Sequence, residues 1–213
     1  MQILCHRGWW IRPEEKNGAA ALRRAFDAGL GVETDLRDLA GNVVVSHDPP
    51  RCSSLDLCGL LDLHADAPTT TLGLNVKADG LAADVAAALA AHAVTSSSFV
   101  FDMAVPDQLH WHRTNVAVFT RHSDVERQPV LYERAAGVWL DDFAGDGWWT
   151  ATTIASHLDA AKCVAVVSPE LHGRDPRDAW GILRSAGLHE RPGVLLCTDM
   201  PEEAMAFFSC RCR

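Results

Sequence analysis

Short apolar runs, many of them β-branched, alternate along this chain with Ala- and Leu-rich stretches of helical length. The runs fall at 3–5, 31–36, 72–77, 99–102, 116–120, 137–140, 163–167 and 194–197. Between them lie helix candidates at 19–28, 81–92, 106–112, 125–135, 151–162, 176–186 and 201–208. Asn17 stands where it can cap the first helix, and Gly29 where it can end it. Strands that alternate with helices predict a parallel sheet. Eight strands also suffice to close a barrel, with an open doubly wound sheet as the alternative. After Leu36 the rhythm breaks: 38–42 reads as a turn and Val43-Val44-Val45 as a short extra strand, giving a hairpin after the second strand. Residues 49–71 follow, with one amphipathic piece near 55–63. No repeat, low-complexity tract or linker divides the chain. The expected fold is α/β, a (β/α)8 TIM barrel forming a single domain over residues 1–213.

The polar residues sharpen this picture. Most apolar runs end in side chains suited to chemistry: His6-Arg7, Glu33 and Asp35, Asn75 and Lys77, Asp102, Thr120-Arg121, Asp141-Asp142, Ser168 with Glu170 and His172, and Thr198-Asp199. One such residue after a strand is usually a helix cap or a solvated turn. Many of them at the C-terminal ends of barrel strands predict an active site at that mouth.

Composition narrows the functions. A 213-residue chain that is 48% hydrophobic and 22% charged can build one sizeable core, although such barrels usually approach ~250 residues. The formal charge of −9 argues against a nucleic-acid binder, which would need a basic face. No apolar run nears the ~20 residues of a membrane span, and the first residues lack the organisation of a signal peptide. Of seven scattered cysteines, Cys5, Cys163 and Cys197 sit in or beside apolar runs and read as buried free thiols, and a reducing, cytoplasmic location is expected. Cys210 and Cys212, flanking Arg211, are too close for an ordinary disulfide and lack a second pair for a zinc site.

Glu33 and Asp35 stand two apart, so on a strand they share one face. Carboxylates that close repel unless a cation or proton lies between them, and oxygen donors favour a hard divalent ion, Mg²⁺ or Ca²⁺. The competing reading pairs them with caps or arginines. His6 and His47 each end an apolar run beside a polar partner, Arg7 and Asp48. Imidazoles titrate near neutrality, and cleaving a phosphodiester needs one group to take a proton and another to give one.

His6-Arg7-Gly8, Gly31-Val32-Glu33-Thr34-Asp35 and Val43-Val44-Val45-Ser46-His47-Asp48, in this order and at these intervals, resemble the glycerophosphodiester phosphodiesterase family, among the phosphatidylinositol-phospholipase-C-like barrels. The likeness is detailed over residues 3–48 and continues in register at Leu74-Asn75-Val76-Lys77. It implies a short member without the usual large insertion after His-Asp. It places acid and base on His6 and His47, the divalent cation on Glu33 and Asp35, and the phosphate on Arg7 and Lys77. Where the family's Glu-x-Lys strand supplies a third carboxylate, this chain has Asn75, an uncharged oxygen ligand, with Asp102 on the next strand as a possible substitute. The family's Glu-Asn-Thr is also altered, to Lys16-Asn17-Gly18, with Glu15 one residue early.

Smaller expectations concern the rest of the chain. Arg121 either meets a substrate phosphate or pairs with Asp124 or Glu126. Ser168, Glu170 and His172 alternate as on a strand face, with Glu170 offered to substrate or to Arg174. Trp139 either walls a polyol or packs the core. Trp9-Trp10 and Trp148-Trp149 read as exposed loop indoles. The function expected is metal-dependent hydrolysis of a small glycerol- or sugar-type phosphodiester, the partner being a small molecule rather than nucleic acid or membrane. Alternatives are a lyase forming a cyclic phosphate, as in the phospholipase D toxins, a binding or regulatory barrel weakened at Asn75, and an aldolase using Lys77.

Overall fold

Alternation of strand and helix carries through the whole computed structural model, which describes residues 1–209. The strands are β1 (Gln2–His6), β2 (Gly31–Leu39), β3 (Asn42–Val45), β4 (Leu72–Val76), β5 (Ser98–Phe101), β6 (Ala117–His122), β7 (Gly137–Leu140), β8 (Cys163–Val167) and β9 (Val194–Thr198). The helices are α1 (Ala19–Asp27), α2 (Leu57–His64), α3 (Ala82–Ala91), α4 (Val105–Trp111), α5 (Ala151–Asp159), α6 (Arg177–Ser185) and α7 (Pro201–Ser209). Pairing runs β1-β9-β8-β7-β6-β5-β4-β2, and β1 also pairs with β2, which closes eight strands into a (β/α)8 barrel. Antiparallel β3 lies on β2 outside the ring, the hairpin expected after the second strand. The expectation about Cys210 and Cys212 falls outside the described residues. Among these residues, no helix is long and apolar enough to cross a membrane.

The described residues gather into two compact units, Leu4–Phe119, and Met1–Ile3 with residues 120–209. In the first, the two-residue period sorts each strand. Val32 and Leu36 of β2, with Leu72, Leu74 and Val76 of β4, pack against Leu22 and Phe26 of α1 and Leu60 and Leu61 of α2. The alternate positions, Glu33 and Asp35 on β2 and Gly73 and Asn75 on β4, therefore point away from the helices. Gly73 is small because a Cβ there would lie 2.8 Å from the ring of Phe99, which stacks on Phe119 at 4.0 Å between centroids. Asp56 caps α2 by accepting from the Gly59 amide at 2.7 Å. Gly29, in the left-handed region at φ +71°, ends α1 as expected. Asn17 does not cap that helix: Gly18 holds the N-cap position, and the Asn17 side chain is used elsewhere.

In the second unit Val138, Leu140, Val164, Val166 and Leu196 pack with Ile154 of α5 and Trp180 and Leu183 of α6. The helix expected at 125–135 is absent. Pro129 removes an amide donor and its ring obstructs the preceding turn. Asp124, Thr120 and a left-handed Leu131 hold the segment as a loop that ends in a 3-10 turn at Tyr132–Arg134. Ser168, Glu170 and His172 likewise do not share a strand face: Pro169 ends β8, and Pro169–His172 form a 3-10 turn.

A chain of three rings crosses this unit. Tyr132 Oη lies 2.8 Å from His157 Nδ1, and His157 Nε2 lies 2.9 Å from His122 Nδ1. Burial, and then His122, push His157 down to about 4 from its ordinary 6.5. For a base depressed on folding, the stabilising contribution is complete above its unfolded value and is lost as pH falls toward the folded one. After allowance for partial solvent screening, ~2 kcal/mol is expected to disappear between pH 6.5 and 4. Thermal unfolding of wild type should therefore drop by ~4–8 °C more than that of His157→Gln over this interval. Equal slopes for the two proteins would remove His157 as the cause.

Candidate active site

The turn after β1 is tight. Arg7 and Gly8 take consecutive left-handed conformations at φ 60° and 85°. For an arginine this costs ~1–2 kcal/mol, and such strain is typical of functional sites. Gly8 is required by contact as well as by angle, since a Cβ would lie 2.8 Å from the Ala21 carbonyl carbon of α1. The Arg7 amide donates to the Glu33 carbonyl at 2.8 Å and approaches Glu33 Oε2 at 3.3 Å, in line with the β1–β2 register that pairs His6 with Glu33.

Glu33 and Asp35 are 2% and 1% exposed. Burial first, and then the neighbouring Asp35, hold the Glu33 carboxyl well above its usual range, while Arg7 and Lys77 pull the other way. Asp35 is the better compensated of the two. Its Oδ2 accepts from Asn17 Nδ2 at 2.9 Å and lies 3.2 Å from Arg7 Nε, an ion pair without a hydrogen bond. Its Oδ1 is 3.5 Å from Lys77 Nζ and has no hydrogen-bond partner. Asn75, paired in register with Asp35, is also buried, and its Oδ1 has no hydrogen-bond partner either. Asn75 Nδ2 donates to Asp102 Oδ2 at 3.4 Å, which places Asp102, at φ 62°, behind the amide.

His6 and His47 arrive differently. His6 ends β1 with its Nε2 3.9 Å from Glu33 Oε2 and 14% of its side chain exposed. His47 follows β3. The Ser46 amide donates to the Asp35 carbonyl at 3.0 Å and Arg37 Nε to the His47 carbonyl at 2.8 Å, so the backbone of His47 is anchored beside the strand that carries Asp35. Its imidazole is 42% exposed, with Nδ1 2.9 Å from Asp48 Oδ1. Glu15 binds the Ile11 amide, Arg12 and Arg24, and braces the loop of Trp9 and Trp10.

The donor set suits a hard cation. Two unpartnered buried oxygens on paired strands stand with a carboxyl that is costly to ionise alone, and added positive charge would relieve all three. Among the described residues no cluster of three or more His, Cys, Asp or Glu could hold a metal, so an amide oxygen, Asn75 Oδ1, would have to complete the set.

In the second unit, Arg121 lies 2.7 Å from Asp141 and 3.5 Å from Glu126, with His172 Nε2 2.7 Å from the other Asp141 oxygen. Arg121 therefore pairs with Glu126, as foreseen, and with Asp141, which was not. Glu170 does not meet Arg174: its carboxylate accepts from Ser168, Thr198 and the Asp199 amide, while Arg174 donates to the carbonyls of Asp142 and Phe143. Trp139 is 4% exposed and Trp149 is core at 5%. Trp148 donates to the Asp141 carbonyl, and Trp10 lies under Lys16, so none of the loop indoles stands fully exposed.

The site residues to which sequence reasoning gave no role are Asn17, read as a helix cap and as part of the altered Glu-Asn-Thr, and Thr34, quoted only within the Glu-x-Asp motif. The available signal was an asparagine beside Gly18, since asparagine is enriched in left-handed turns such as the φ 60° found here.

By sequence, the chain matches no family model and no curated protein. By structure it resembles an assigned glycerophosphodiester phosphodiesterase from Galdieria sulphuraria at 16% identity and TM-score 0.75, with 98% of each chain covered. A glycerophosphodiester phosphodiesterase from Parabacteroides distasonis aligns at 16% identity and TM-score 0.69, over 98% of this chain and 96% of that one. One from Agrobacterium tumefaciens aligns at 15% and 0.68, over 98% and 99%. The fold is thus a barrel of the glycerophosphodiester-phosphodiesterase type.

Proposed function

We propose that this protein is a phosphodiesterase that hydrolyses a small glycerol- or sugar-type phosphodiester with a divalent cation, Mg²⁺ or Ca²⁺. One observation carries the reading: Asp35 Oδ1 and Asn75 Oδ1, on registered strands, are buried without hydrogen-bond partners, and Asp35 shares a strand face with Glu33 and is ion-paired to Arg7 and Lys77. The likeness to solved glycerophosphodiester phosphodiesterases over nearly the whole chain supports the same chemistry.

Glu33, Asp35 and Asn75 would hold the cation, which would supply positive charge to the bound phosphate. Arg7 and Lys77 bind the remaining phosphate oxygens and offset the charge that grows in the transition state. With Asp48 accepting from Nδ1–H, His47 keeps Nε2 free to take the proton of water, and His6 returns a proton to the leaving oxygen. Lys77 is ion-paired, which favours phosphate binding over Schiff-base chemistry.

Product analysis tests the reaction class. Phosphorus NMR of a glycerophosphodiester digest should show a monoester from the first turnover. A cyclic phosphate as first product would move the protein to the lyases.

A further inference from the structure

We infer that Asn17 and Thr34 are positioning residues that fix the Asp35 carboxylate with Oδ1 presented for the cation; this rests on the reading that Asp35 holds that ion. Thr34 is fully buried and lies on the face of β2 opposite Glu33 and Asp35, so it cannot touch a phosphate at that face. Its hydroxyl donates to Asn17 Oδ1 at 2.7 Å, and Asn17 Nδ2 donates to Asp35 Oδ2 at 2.9 Å. The direction of this relay is set by chemistry. A carboxylate only accepts, so the amide must turn its NH₂ to Asp35, which leaves its oxygen for the Thr34 hydroxyl.

The backbone reinforces the arrangement. The Asn17 amide donates to the Arg7 carbonyl at 2.9 Å, and Asn17 itself is left-handed at φ 60°. One residue therefore ties the turn carrying the phosphate-binding Arg7 to the orientation of Asp35. With Oδ2 held by Asn17 and faced by Arg7, Oδ1 is the oxygen left without a hydrogen bond. Without the relay the carboxylate could rotate and give both oxygens to Arg7 and Lys77.

Calorimetric titration with Mn²⁺ alone, on the full chain, tests this in wild type, Asp35→Asn, Asn17→Gly, Thr34→Val and Thr34→Ser. Thr34→Val is isosteric and favourable in a strand, and Asn17→Gly relieves the left-handed backbone, so both should fold, as thermal unfolding will verify. Asn17→Gly is expected to weaken Mn²⁺ binding by ~10–100-fold, and Thr34→Val by about tenfold, because partners behind a ligand govern its presentation. Thr34→Ser, which retains the hydroxyl, should bind within about twofold of wild type. A purely packing role for Thr34 would reverse the order of its two variants, with the isosteric valine the milder. If Asp35→Asn abolishes binding while Asn17→Gly and Thr34→Val bind like wild type, the positioning role is overturned and the cation reading stands. If wild type takes up no Mn²⁺, or Asp35→Asn binds unchanged, the cation reading fails and the positioning role with it.

Discussion

His6→Ala and His47→Ala are each expected to lower phosphodiester turnover by ~10²–10⁴-fold, the range over which a positioned acid or base accelerates proton transfer. The two should differ in their other effects. His47 is 42% exposed on its side chain, and its removal should leave thermal stability within ~0.5 kcal/mol of wild type. His6 is 14% exposed beside the buried Glu33 carboxylate, so its loss should shift stability as well as rate. A further separation comes from the leaving group. If His6 gives the proton to the departing oxygen, His6→Ala should be much less damaging for p-nitrophenolate, which leaves without protonation, than for an alkoxide. His47→Ala should damage both equally. The reverse pattern would exchange the two roles.

The barrel was legible in the sequence because its strands obey a simple rule. Val32, Leu36, Leu72, Leu74 and Val76 must meet helices, while Glu33, Asp35 and Asn75 must not, and that alternation can be read one residue at a time. His6, Asp35 and Lys77, at or next to the ends of such runs, and Glu33, two residues before Asp35 on the same strand face, were legible as candidates for the same reason. What failed was local chemistry inside otherwise plausible segments. Residues 125–135 contain enough apolar side chains for a helix, but Pro129 and the side chain of Asp124 direct the backbone into a loop. Pro169 did the same to the supposed strand face of Ser168, Glu170 and His172. The link of Asn17 and Thr34 to Asp35 was illegible for a different reason. Their roles depend on Asn17, from a separate segment, meeting both the Thr34 hydroxyl and the Asp35 carboxylate, and nothing in the spacing of 17 and 34 encodes those contacts.

Glu33→Gln is expected to abolish turnover while making the protein, free of cation, more stable by ~1–3 kcal/mol. Two carboxyls 2% and 1% exposed on the same strand face cost stability through burial and mutual repulsion. An amide of the same shape removes one of the charges and keeps the packing. The gain should be visible as a higher unfolding midpoint in EDTA. It should vanish or reverse in excess divalent cation, which stabilises only the wild type by binding its folded form. A variant less stable than wild type in EDTA would mean that the pair is already compensated by Arg7 and Lys77, and that no cation is needed to relieve it.

The most direct measurement is the hydrolysis of bis-p-nitrophenyl phosphate after EDTA treatment and after return of Mg²⁺, Mn²⁺ or Ca²⁺. The account predicts no turnover in EDTA, recovery with at least one of these ions, and no recovery for Glu33→Gln or Asp35→Asn. Turnover that EDTA leaves untouched, or that survives both substitutions, would contradict a cation held by Glu33, Asp35 and Asn75.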